Sequence, residues 1–571
     1  MIGIQRRKVF FVILVLSCFM RAKSQSLIKP FSYQVQKKMM CKQGAVVSAH
    51  PLASEAGIYV MQQGGNAVDG AIATQLALAV VYPAAGNIGG GGFLVGWLKG
   101  DKKIAIDFRE KAPGGASKEM YLDSKGNAQL QLSQDGHLAS GVPGAVAGMF
   151  AASKYARLPF SKLIQPAIDL AEKGFAITEE EAWDLNHTQA SFKKYNTMMP
   201  VFVKAEPWKA GDSLIQKDLA KTLRRIQQQG AKGFYEGETA RLIVEEMKRG
   251  KGIITYEDLK QYNAVEREPV VFNYKTDYTI VTMPLPSSGG VLLPQMMHMI
   301  EGQPLKSFGY GTVKSVHLMT EVERLAYADR AMFLGDRDFY KVPVKKLTSY
   351  AYAKERMKLY NPDAAGNSKD IQSGNIPAVE SEETTHFDVY DKDGNSISVT
   401  TTLNGGYGSR TVVGGAGFLL NNEMDDFSVK PGVPNMYGAV GGEANAIAPG
   451  KRMLSSMTPT IVLKKGAPYL IVGTPGGTTI TTSVFQTLVN VLEFDMSTED
   501  AVYKPKFHMQ WLPDIIYVEK DFPLAVRDEL KKMGYKISQR EAIGRTEVIK
   551  ISDGNIEAVA DMRGNDSAAG Y

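Results

Sequence analysis

Alternating hydrophobic and polar residues mark a β-hairpin within residues 381–403. Phe387 and Val389 alternate with polar neighbours, as do Ile397 and Val399, and the intervening sequence DKDGN contains an Asp-Gly pair. A period of two is typical of strands, and Asp-Gly suits a tight turn. The pattern predicts two antiparallel strands, the first of which begins with the unusual sequence TTH.

Helical spacing of apolar residues appears on both sides of this hairpin. Residues 54–83 predict two helices separated by Gly64 and Gly65, and residues 478–494 predict another helix. Further strands are predicted at 86–110, 414–428 and 458–477, amphipathic helices across 153–266, and a flexible linker at 361–383. This order favours an α+β fold in which stacked sheets lie between helices.

The first 24 residues carry a basic start and a short apolar run, Val9 to Met20, followed by small residues. This pattern predicts a signal peptide for export, with the periplasm as the expected destination. An alternative is a lipoprotein cleavage box around Cys18, although Leu16 is atypical there. The leader holds five of the six net positive charges, so the remaining chain is nearly neutral. We therefore expect no nucleic-acid partner.

Candidate metal and redox chemistry is sparse. Cys18 and Cys41 are the only cysteines, and the seven histidines form no metal-binding or hydrolase motif. We expect no metal, no cofactor, no disulfide and a buried, unreactive Cys41. His386 alone is more often a strand residue than a catalytic base.

Two glycine-rich segments suggest nucleotide binding at first sight. GNIGGGG at 86–92 and GTPGG at 473–477 lack the pattern of a phosphate-binding loop, and tight turns explain the first. Gly476 and Gly477 precede a predicted helix, where unpaired backbone N–H groups converge on one point. Such a point is able to hold an oxyanion.

Thr384 stands between the predicted linker and the predicted strand. Threonine is a weak nucleophile unless a base lies beside it, and cleavage of the bond from Glu383 to Thr384 would supply the α-amine of Thr384. An amine with a pKa near 8 suits proton transfer at neutral pH. The competing interpretation is that β-branched threonines simply begin a strand.

A resemblance decides between these interpretations. The segments ETTHFDVYDKDGNSISVTTTLN, LLNNEMDDFS, KRMLSSMTPTIV, GTPGG, KFHMQWLPD, GGNAVDGAIA and DFREKAP occur in an order that closely resembles the γ-glutamyltranspeptidases. The resemblance implies an N-terminal-nucleophile hydrolase fold, a four-layer αββα sandwich. It also implies a precursor that cuts itself into a large subunit, 25–383, and a small subunit, 384–571, which together form a heterodimer.

The same resemblance implies residue roles. Thr384 is then the nucleophile of both self-cleavage and γ-glutamyl transfer, Thr402 supports its hydroxyl, and the amides of Gly476 and Gly477 form the oxyanion hole. The remaining matches concern the amino-acid head of the donor. Arg109, Ser455 and Ser456 match residues that bind its α-carboxylate, and Asn404, Glu423 and Asp426 match residues that bind its α-ammonium group.

One loop and two departures from the family pattern bear on which substrates the pocket accepts. KPGVPNMYGAVGGEANAI resembles a lid, with Tyr437 at its aromatic gate position. Glu423 stands where some bacterial members have Gln, which adds a negative charge. GGYGSR after Asn404 differs from the commoner bulky residues at the pocket edge.

The implied activity is cleavage of the γ-glutamyl amide of glutathione and related compounds through a γ-glutamyl ester of Thr384. The γ-glutamyl group then passes to water, an amino acid or a peptide. Two alternatives stay open at this point. One is an acylase that removes glutaryl-type groups, which lack the α-amine, and the other is a non-catalytic periplasmic binding protein.

Overall fold

The computed structural model describes residues 28–371 and 384–571. The predicted leader with Cys18, and Glu383 at the predicted cleavage bond, lie outside these residues. The strands are β1 (Lys38–Cys41), β2 (Gly44–Ser48), β3 (Gly91–Leu98), β4 (Lys102–Asp107), β5 (Phe175–Ala176), β6 (Ser213–Leu214), β7 (Val265–Arg267), β8 (Val270–Tyr274), β9 (Tyr278–Thr282), β10 (Thr385–Asp391), β11 (Ser396–Thr402), β12 (Thr460–Lys464), β13 (Ala467–Gly473), β14 (Phe507–His508), β15 (Ile516–Glu519), β16 (Ile537–Arg540), β17 (Glu547–Ser552), β18 (Asn555–Val559) and β19 (Ser567–Gly570).

The α-helices occur in the first two thirds of the chain and again near its end. They are α1 (Pro51–Gln62), α2 (Ala67–Val81), α3 (Leu130–Gln134), α4 (Ala145–Ser153), α5 (Phe160–Leu163), α6 (Gln165–Lys173), α7 (Glu179–Tyr195), α8 (Lys217–Gln229), α9 (Lys232–Tyr235), α10 (Gly237–Gly250), α11 (Tyr256–Lys260), α12 (Gly289–Ile300), α13 (Leu305–Phe308), α14 (Val313–Phe333), α15 (Val344–Leu347), α16 (Tyr350–Arg356), α17 (Thr479–Leu492), α18 (Thr498–Tyr503) and α19 (Leu524–Lys532). Among the described residues, no helix has the length and apolar content needed to cross a membrane.

Two seven-stranded antiparallel sheets form the centre of the molecule. Their strand orders are β1-β18-β17-β13-β12-β9-β8 and β19-β2-β10-β11-β3-β4-β7. Apolar side chains from facing strands, including Val47, Phe93, Ile471 and Ile549, pack between the two sheets. The predicted hairpin β10–β11 occupies the middle of the second sheet, with Phe387 opposite Val399.

Helices cover both outer faces of this sandwich. One apolar cluster joins Leu76 of α2 to Phe387 and Val399, and another joins Val322 of α14 and Leu488 of α17 to the other sheet. The four-layer αββα arrangement expected from the resemblance is therefore confirmed. Burial of both sheets leaves only their ends open to a ligand, so a site must lie at a sheet end.

Local sequence signals explain most element boundaries. The Asn66 side chain accepts a hydrogen bond from the Asp69 amide, and the Asp69 carboxylate accepts one from the Asn66 amide, which caps the start of α2. The two predicted helices in 54–83 and the helix after Gly477 are confirmed. Cys41 is buried at the edge of the inter-sheet core, where burial raises the pKa of its thiol to about 11.

The prediction of a strand in 414–428 is wrong, and the prediction of a flexible linker at 361–383 is wrong for residues 361–371, whereas residues 372–383 lie outside the described part of the chain. Residues 414–428 form an irregular loop, because a tight turn with positive φ at Gly415 and Gly417 limits the pairing of Leu419 to one bridge with Val412. The first part of the predicted linker is packed against the body. The Ser368 carbonyl accepts a 3.0 Å hydrogen bond from Trp511, and its hydroxyl binds Arg324. A polar composition is compatible with burial where each polar group finds a partner.

Candidate active site

Thr384 and Thr402 lie side by side at the end of the central hairpin. Thr384 immediately precedes β10, Thr402 ends β11, and their hydroxyl oxygens are 3.4 Å apart. The Thr402 hydroxyl also accepts a 2.8 Å hydrogen bond from the amide of Asn404. A hydroxyl that accepts one bond keeps its own proton to donate, so Thr402 is able to donate to Thr384. The hairpin thus presents one threonine hydroxyl with a second hydroxyl as its support.

His386 takes part in a separate network deeper in the sandwich. Its Nδ1 lies 2.8 Å from the Thr400 hydroxyl, and its Nε2 lies 2.9 Å from Asp388. Both ring nitrogens of His386 are therefore occupied by these contacts. His386 lies two residues after Thr384, on the same face of β10. The contacts fit the structural role that the sequence suggested for this histidine.

Gly476 and Gly477 lie beside Thr384 with backbone angles that favour glycine. Their φ values are 132° and 54°. A Cβ at Gly477 would lie 2.5 Å from the ring of Tyr437. Among the hydrogen bonds of the described residues, neither glycine amide is a donor, whereas both carbonyls accept bonds from the start of α17. Two N–H groups therefore remain available to a developing oxyanion.

Arg109 lies at the opposite end of the same cavity. Its guanidinium binds Glu423 and Asp426 and also donates to the Met453 carbonyl at 3.3 Å. The arginine is fully buried, and its charge is matched by the two carboxylates. The positive charge of Arg109 therefore lies next to the negative charges of Glu423 and Asp426. An amino acid, whose carboxylate and ammonium groups are adjacent, needs both kinds of partner close together.

Asn404 and the serine pair complete the polar lining. The side-chain nitrogen of Asn404 donates to the Asn422 carbonyl at 3.0 Å. The side-chain oxygen of Asn404 therefore remains available as an acceptor. The Ser455 hydroxyl accepts a 3.2 Å bond from the Met457 amide, and Ser456 faces a second arginine, Arg330. The structure thus brings the described residues of the predicted site to one cavity, except Gly476, which lines a neighbouring space that Thr384 also borders.

Tyr437 closes the cavity from the predicted lid. Its hydroxyl donates to the Asn404 carbonyl, and its ring lies against Gly477. The lid is anchored at its base by a bridge between Ser428 and Ala446. The cavity has a volume of only about 20 Å³. Tyr437 and the lid thus narrow the space above the polar residues that line the cavity.

Thr384 also borders a second, larger space on its other side. This cavity of about 460 Å³ is lined by Tyr82, Glu180, Gly476 and Arg540 as well as Thr384. The nucleophile candidate thus separates a narrow polar cavity from a wide one. That division suits a reaction in which one fixed group is recognised and a more variable group leaves or arrives.

Two charged residues near Arg109 escaped the sequence analysis, Glu110 and Arg330. Glu110 follows Arg109 directly, and one of its carboxylate oxygens lies 3.6 Å from the Arg109 guanidinium. Both oxygens are buried and have no hydrogen-bond partner among the described residues. Burial, reinforced by the nearby Glu423 charge, raises the pKa of Glu110 well above its ordinary value. The signal for Glu110 in the sequence was its place directly after Arg109 in the DFRE motif.

We expect Glu110→Gln to stabilise the protein increasingly as the pH rises from 5 to 8. An unfolded glutamate ionises near pH 4.3, whereas buried Glu110 keeps its proton to a higher pH. Above about pH 4.3 the wild type therefore loses up to about 1.4 kcal/mol of stability for each pH unit until the raised pKa is passed. Glutamine carries no such penalty. The check is the difference in thermal midpoint between variant and wild type at each pH.

Exposed Glu119 provides the matched control for this prediction. Glu119→Gln should leave the difference in midpoint independent of pH. A difference that is also constant for Glu110→Gln would mean that Glu110 is ionised in the folded protein.

Comparison with known proteins gives the site a context. The family model described as gamma-glutamyltranspeptidase matches residues 53–571. The glutathione hydrolase proenzyme of Escherichia coli K12 is 44% identical over 99% of both chains.

Two solved structures support the same relationship. A cephalosporin acylase from Bacillus halodurans superposes with a TM-score of 0.82 at 27% identity, over 95% of this chain and 99% of that one. A gamma-glutamyltranspeptidase chain from Helicobacter pylori superposes with a TM-score of 0.56 at 47% identity, over 61% of this chain and 97% of that one.

Proposed function

The chain belongs to the γ-glutamyltranspeptidase family, and we propose that Thr384 is the nucleophile through which it acts. The protein is a self-processing glutathione hydrolase and γ-glutamyltransferase. The observation that carries the residue assignment is the position of the Thr384 hydroxyl. It lies 3.4 Å from Thr402, in the cavity that Gly477 and Arg109 also line.

The proposed reaction has two halves. The Thr384 hydroxyl attacks the γ-amide carbonyl of the donor, and the α-amine of Thr384 takes the proton and returns it to the leaving amine. The amides of Gly476 and Gly477 stabilise the oxyanion, and a γ-glutamyl ester of Thr384 results. Water then releases glutamate, or the amine of an amino acid or peptide accepts the γ-glutamyl group. No metal or other cofactor is needed for these steps.

Recognition of the donor divides between its two charged groups. Arg109, Ser455 and Ser456 bind the α-carboxylate, and Asn404, Glu423 and Asp426 bind the α-ammonium group. Tyr437 covers the bound group and limits access of water to the ester. The larger cavity beyond Thr384 takes the leaving peptide and then the acceptor.

Self-cleavage precedes this activity. The Thr384 hydroxyl attacks the carbonyl of Glu383, an ester replaces the amide, and water opens it. The products are a large subunit, 25–383, and a small subunit, 384–571, which remain associated because β10 and β11 lie between strands β2 and β3. The Helicobacter pylori chain supports this division, since nearly all of it matches about three fifths of this one.

Export to the periplasm is part of the proposal and rests on the leader sequence alone. Removal of residues 1–24 would leave a mature chain without Cys18. Lipid attachment at Cys18 is the alternative. Mass spectrometry of the mature N-terminus distinguishes the two, because an acylated Cys18 would remain at the start of the chain.

A comparison of two anilides tests the proposed substrate. We expect kcat/KM for γ-glutamyl anilide to exceed that for glutaryl anilide at least about tenfold, because glutaryl lacks the ammonium group and leaves buried acceptors unmatched. The measurement is release of the aniline from each substrate by the cleaved enzyme.

Asp426→Asn should lower the ratio of kcat/KM for γ-glutamyl anilide to that for glutaryl anilide, because it removes a negative charge from the ammonium site. Asp218→Asn on the exposed surface of α8 should leave this ratio unchanged. A wild-type preference for glutaryl anilide would overturn the substrate assignment and favour the acylase alternative.

A further inference from the structure

Gln510 contacts two residues of the wall of the cavity that Thr384 lines. It belongs to the segment KFHMQWLPD, residues 506–514, and is buried. Its side-chain oxygen lies 2.5 Å from the Thr478 hydroxyl, and its side-chain nitrogen lies 3.4 Å from the Tyr437 carbonyl. Thr478 and Tyr437 both line the cavity. One buried amide therefore touches the cavity wall at two points.

The neighbours of Gln510 decide which way its amide points. The carbonyl oxygens of Tyr437 and Leu512 lie 3.4 and 3.3 Å from its side-chain nitrogen. A carbonyl only accepts, so the nitrogen must face these two groups, and the side-chain oxygen must face Thr478 and His508. The Nε2 atom of His508 lies 2.9 Å from that oxygen and therefore carries a proton.

His508 is held in the state that this arrangement needs. Burial lowers the pKa of His508 to about 3, so its ring is neutral and has only one N–H group. The Nδ1 atom therefore has no proton, and the Thr482 hydroxyl, 2.8 Å away, is able to donate to it. Thr482 lies in α17, the helix that Thr478 directly precedes. The contacts of His508 and Gln510 thus tie segment 506–514 to the start of α17.

Gly477 lies between the two residues that Gln510 contacts. Thr478 follows Gly477 in the chain, and the Thr478 carbonyl also accepts a hydrogen bond from Tyr327. On the other side, the Tyr437 ring is so close that a Cβ at Gly477 would lie 2.5 Å from it. Gln510 thus holds the helix side and the lid side of Gly477 at once. Such supporting contacts keep a reacting group in a fixed geometry.

We propose that Gln510 is a positioning residue that couples the lid to the oxyanion hole. Its contact with Thr478 fixes the backbone at Gly477, and its contact with the Tyr437 carbonyl holds the lid over the ester. The inference rests on the proposed function, because it assumes that an ester of Thr384 forms in this cavity. The first contact then affects the rate of ester formation. The second affects the share of the ester that goes to water rather than to an amine.

Two variants separate these contacts. Gln510→Met keeps the length of the side chain and removes both contacts. Thr478→Val removes only the hydroxyl that Gln510 binds, and this hydroxyl does not cap α17. We expect each variant to lower the single-turnover rate of ester formation from γ-glutamyl anilide about 3- to 10-fold, as loss of one buried hydrogen bond predicts.

The products should change only in Gln510→Met. With γ-glutamyl anilide as donor and glycylglycine as acceptor, we expect the ratio of γ-glutamyl-glycylglycine to glutamate to fall about threefold or more, because a loosened lid admits water. The ratio should stay within about 1.5-fold of wild type in Thr478→Val. Chromatography of the products after a fixed time gives this ratio.

The double variant tests whether the two residues act through one bond. Gln510→Met and Thr478→Val remove opposite ends of the same contact. The double variant should therefore form the ester no more slowly than Gln510→Met alone. Losses of rate that multiply in the double variant would contradict the shared contact.

Gln216→Met is the matched control. Gln216 is also buried, and its side-chain nitrogen donates to the Val80 carbonyl at 2.7 Å, away from the residues that line the Thr384 cavity. This variant should have a lower thermal midpoint and an unchanged rate of ester formation and product ratio.

Hydrogen–deuterium exchange of the lid provides a readout that needs no activity. The amides of residues 437–440 should exchange faster in Gln510→Met than in wild type, and at the wild-type rate in Gln216→Met. Denaturing gels show whether each variant is cut. If Gln510→Met remains uncut, the uncut Thr384→Ala chain replaces wild type as the reference for exchange.

The outcomes separate this inference from the proposed function. An unchanged product ratio together with unchanged lid exchange in Gln510→Met would overturn the role of Gln510, as would equal changes in Gln216→Met. A wild-type enzyme that forms neither glutamate nor γ-glutamyl-glycylglycine from γ-glutamyl anilide would instead contradict the proposed function.

Discussion

Thr384→Ala is expected to remain a single uncut chain and to lose γ-glutamyl turnover by at least about a thousandfold. The hydroxyl that attacks Glu383 is absent, so neither the new chain end nor its α-amine forms, and no ester is possible in the second reaction. Denaturing electrophoresis measures cleavage, and release of aniline from γ-glutamyl anilide measures turnover.

Two neighbouring variants sharpen this experiment. Thr384→Ser keeps a hydroxyl and should be cut, although more slowly. Thr385→Ala removes the next hydroxyl, which is buried and has no hydrogen-bond partner among the described residues. We expect it to be cut and active. Cleavage of Thr384→Ala would show that another residue is the nucleophile, and an uncut wild-type chain would contradict the whole mechanism.

Gly477→Ala should lower kcat by about a hundredfold or more. Gly477 has a φ of 54°, and an added Cβ would lie 2.5 Å from the Tyr437 ring. Either the backbone turns, which redirects the amide away from the oxyanion, or the lid is displaced. Loss of one oxyanion donor typically costs about two to three orders of magnitude in kcat. Single-turnover kinetics of ester formation by the cleaved variant provide the measurement.

Gly466→Ala is the matched control for this prediction. Gly466 also has a positive φ, 82°, in the turn between β12 and β13, and its added Cβ would meet nothing within 4 Å. The two variants share the conformational cost of alanine in such a position, but only Gly477 borders Thr384. Similar kcat values for both variants would exclude an oxyanion role for Gly477.

The spacing of apolar residues along the sequence predicted the regular strands and helices correctly. The alternation around Phe387 predicted β10, and the apolar spacing after Gly477 predicted α17, because each pattern repeats over several turns or pleats. It failed for 414–428, where apolar Phe418 and Leu419 suggested a strand. There, a tight turn with positive φ at Gly415 and Gly417 limits the pairing of Leu419 to one bridge with Val412.

The sequence by itself determined the family, the hairpin and the identity of Thr384 as a candidate nucleophile, since motif order and strand periodicity are properties of the chain. Tertiary structure alone decided which charges meet. Arg109, Arg330 and Asp426 are far apart in sequence, yet sheet pairing and the packing of α14 bring them to one cavity. The strength of a charge depends on its burial and its neighbours, so the pairing of Arg109 with Glu423 and Asp426 follows only from the folded arrangement.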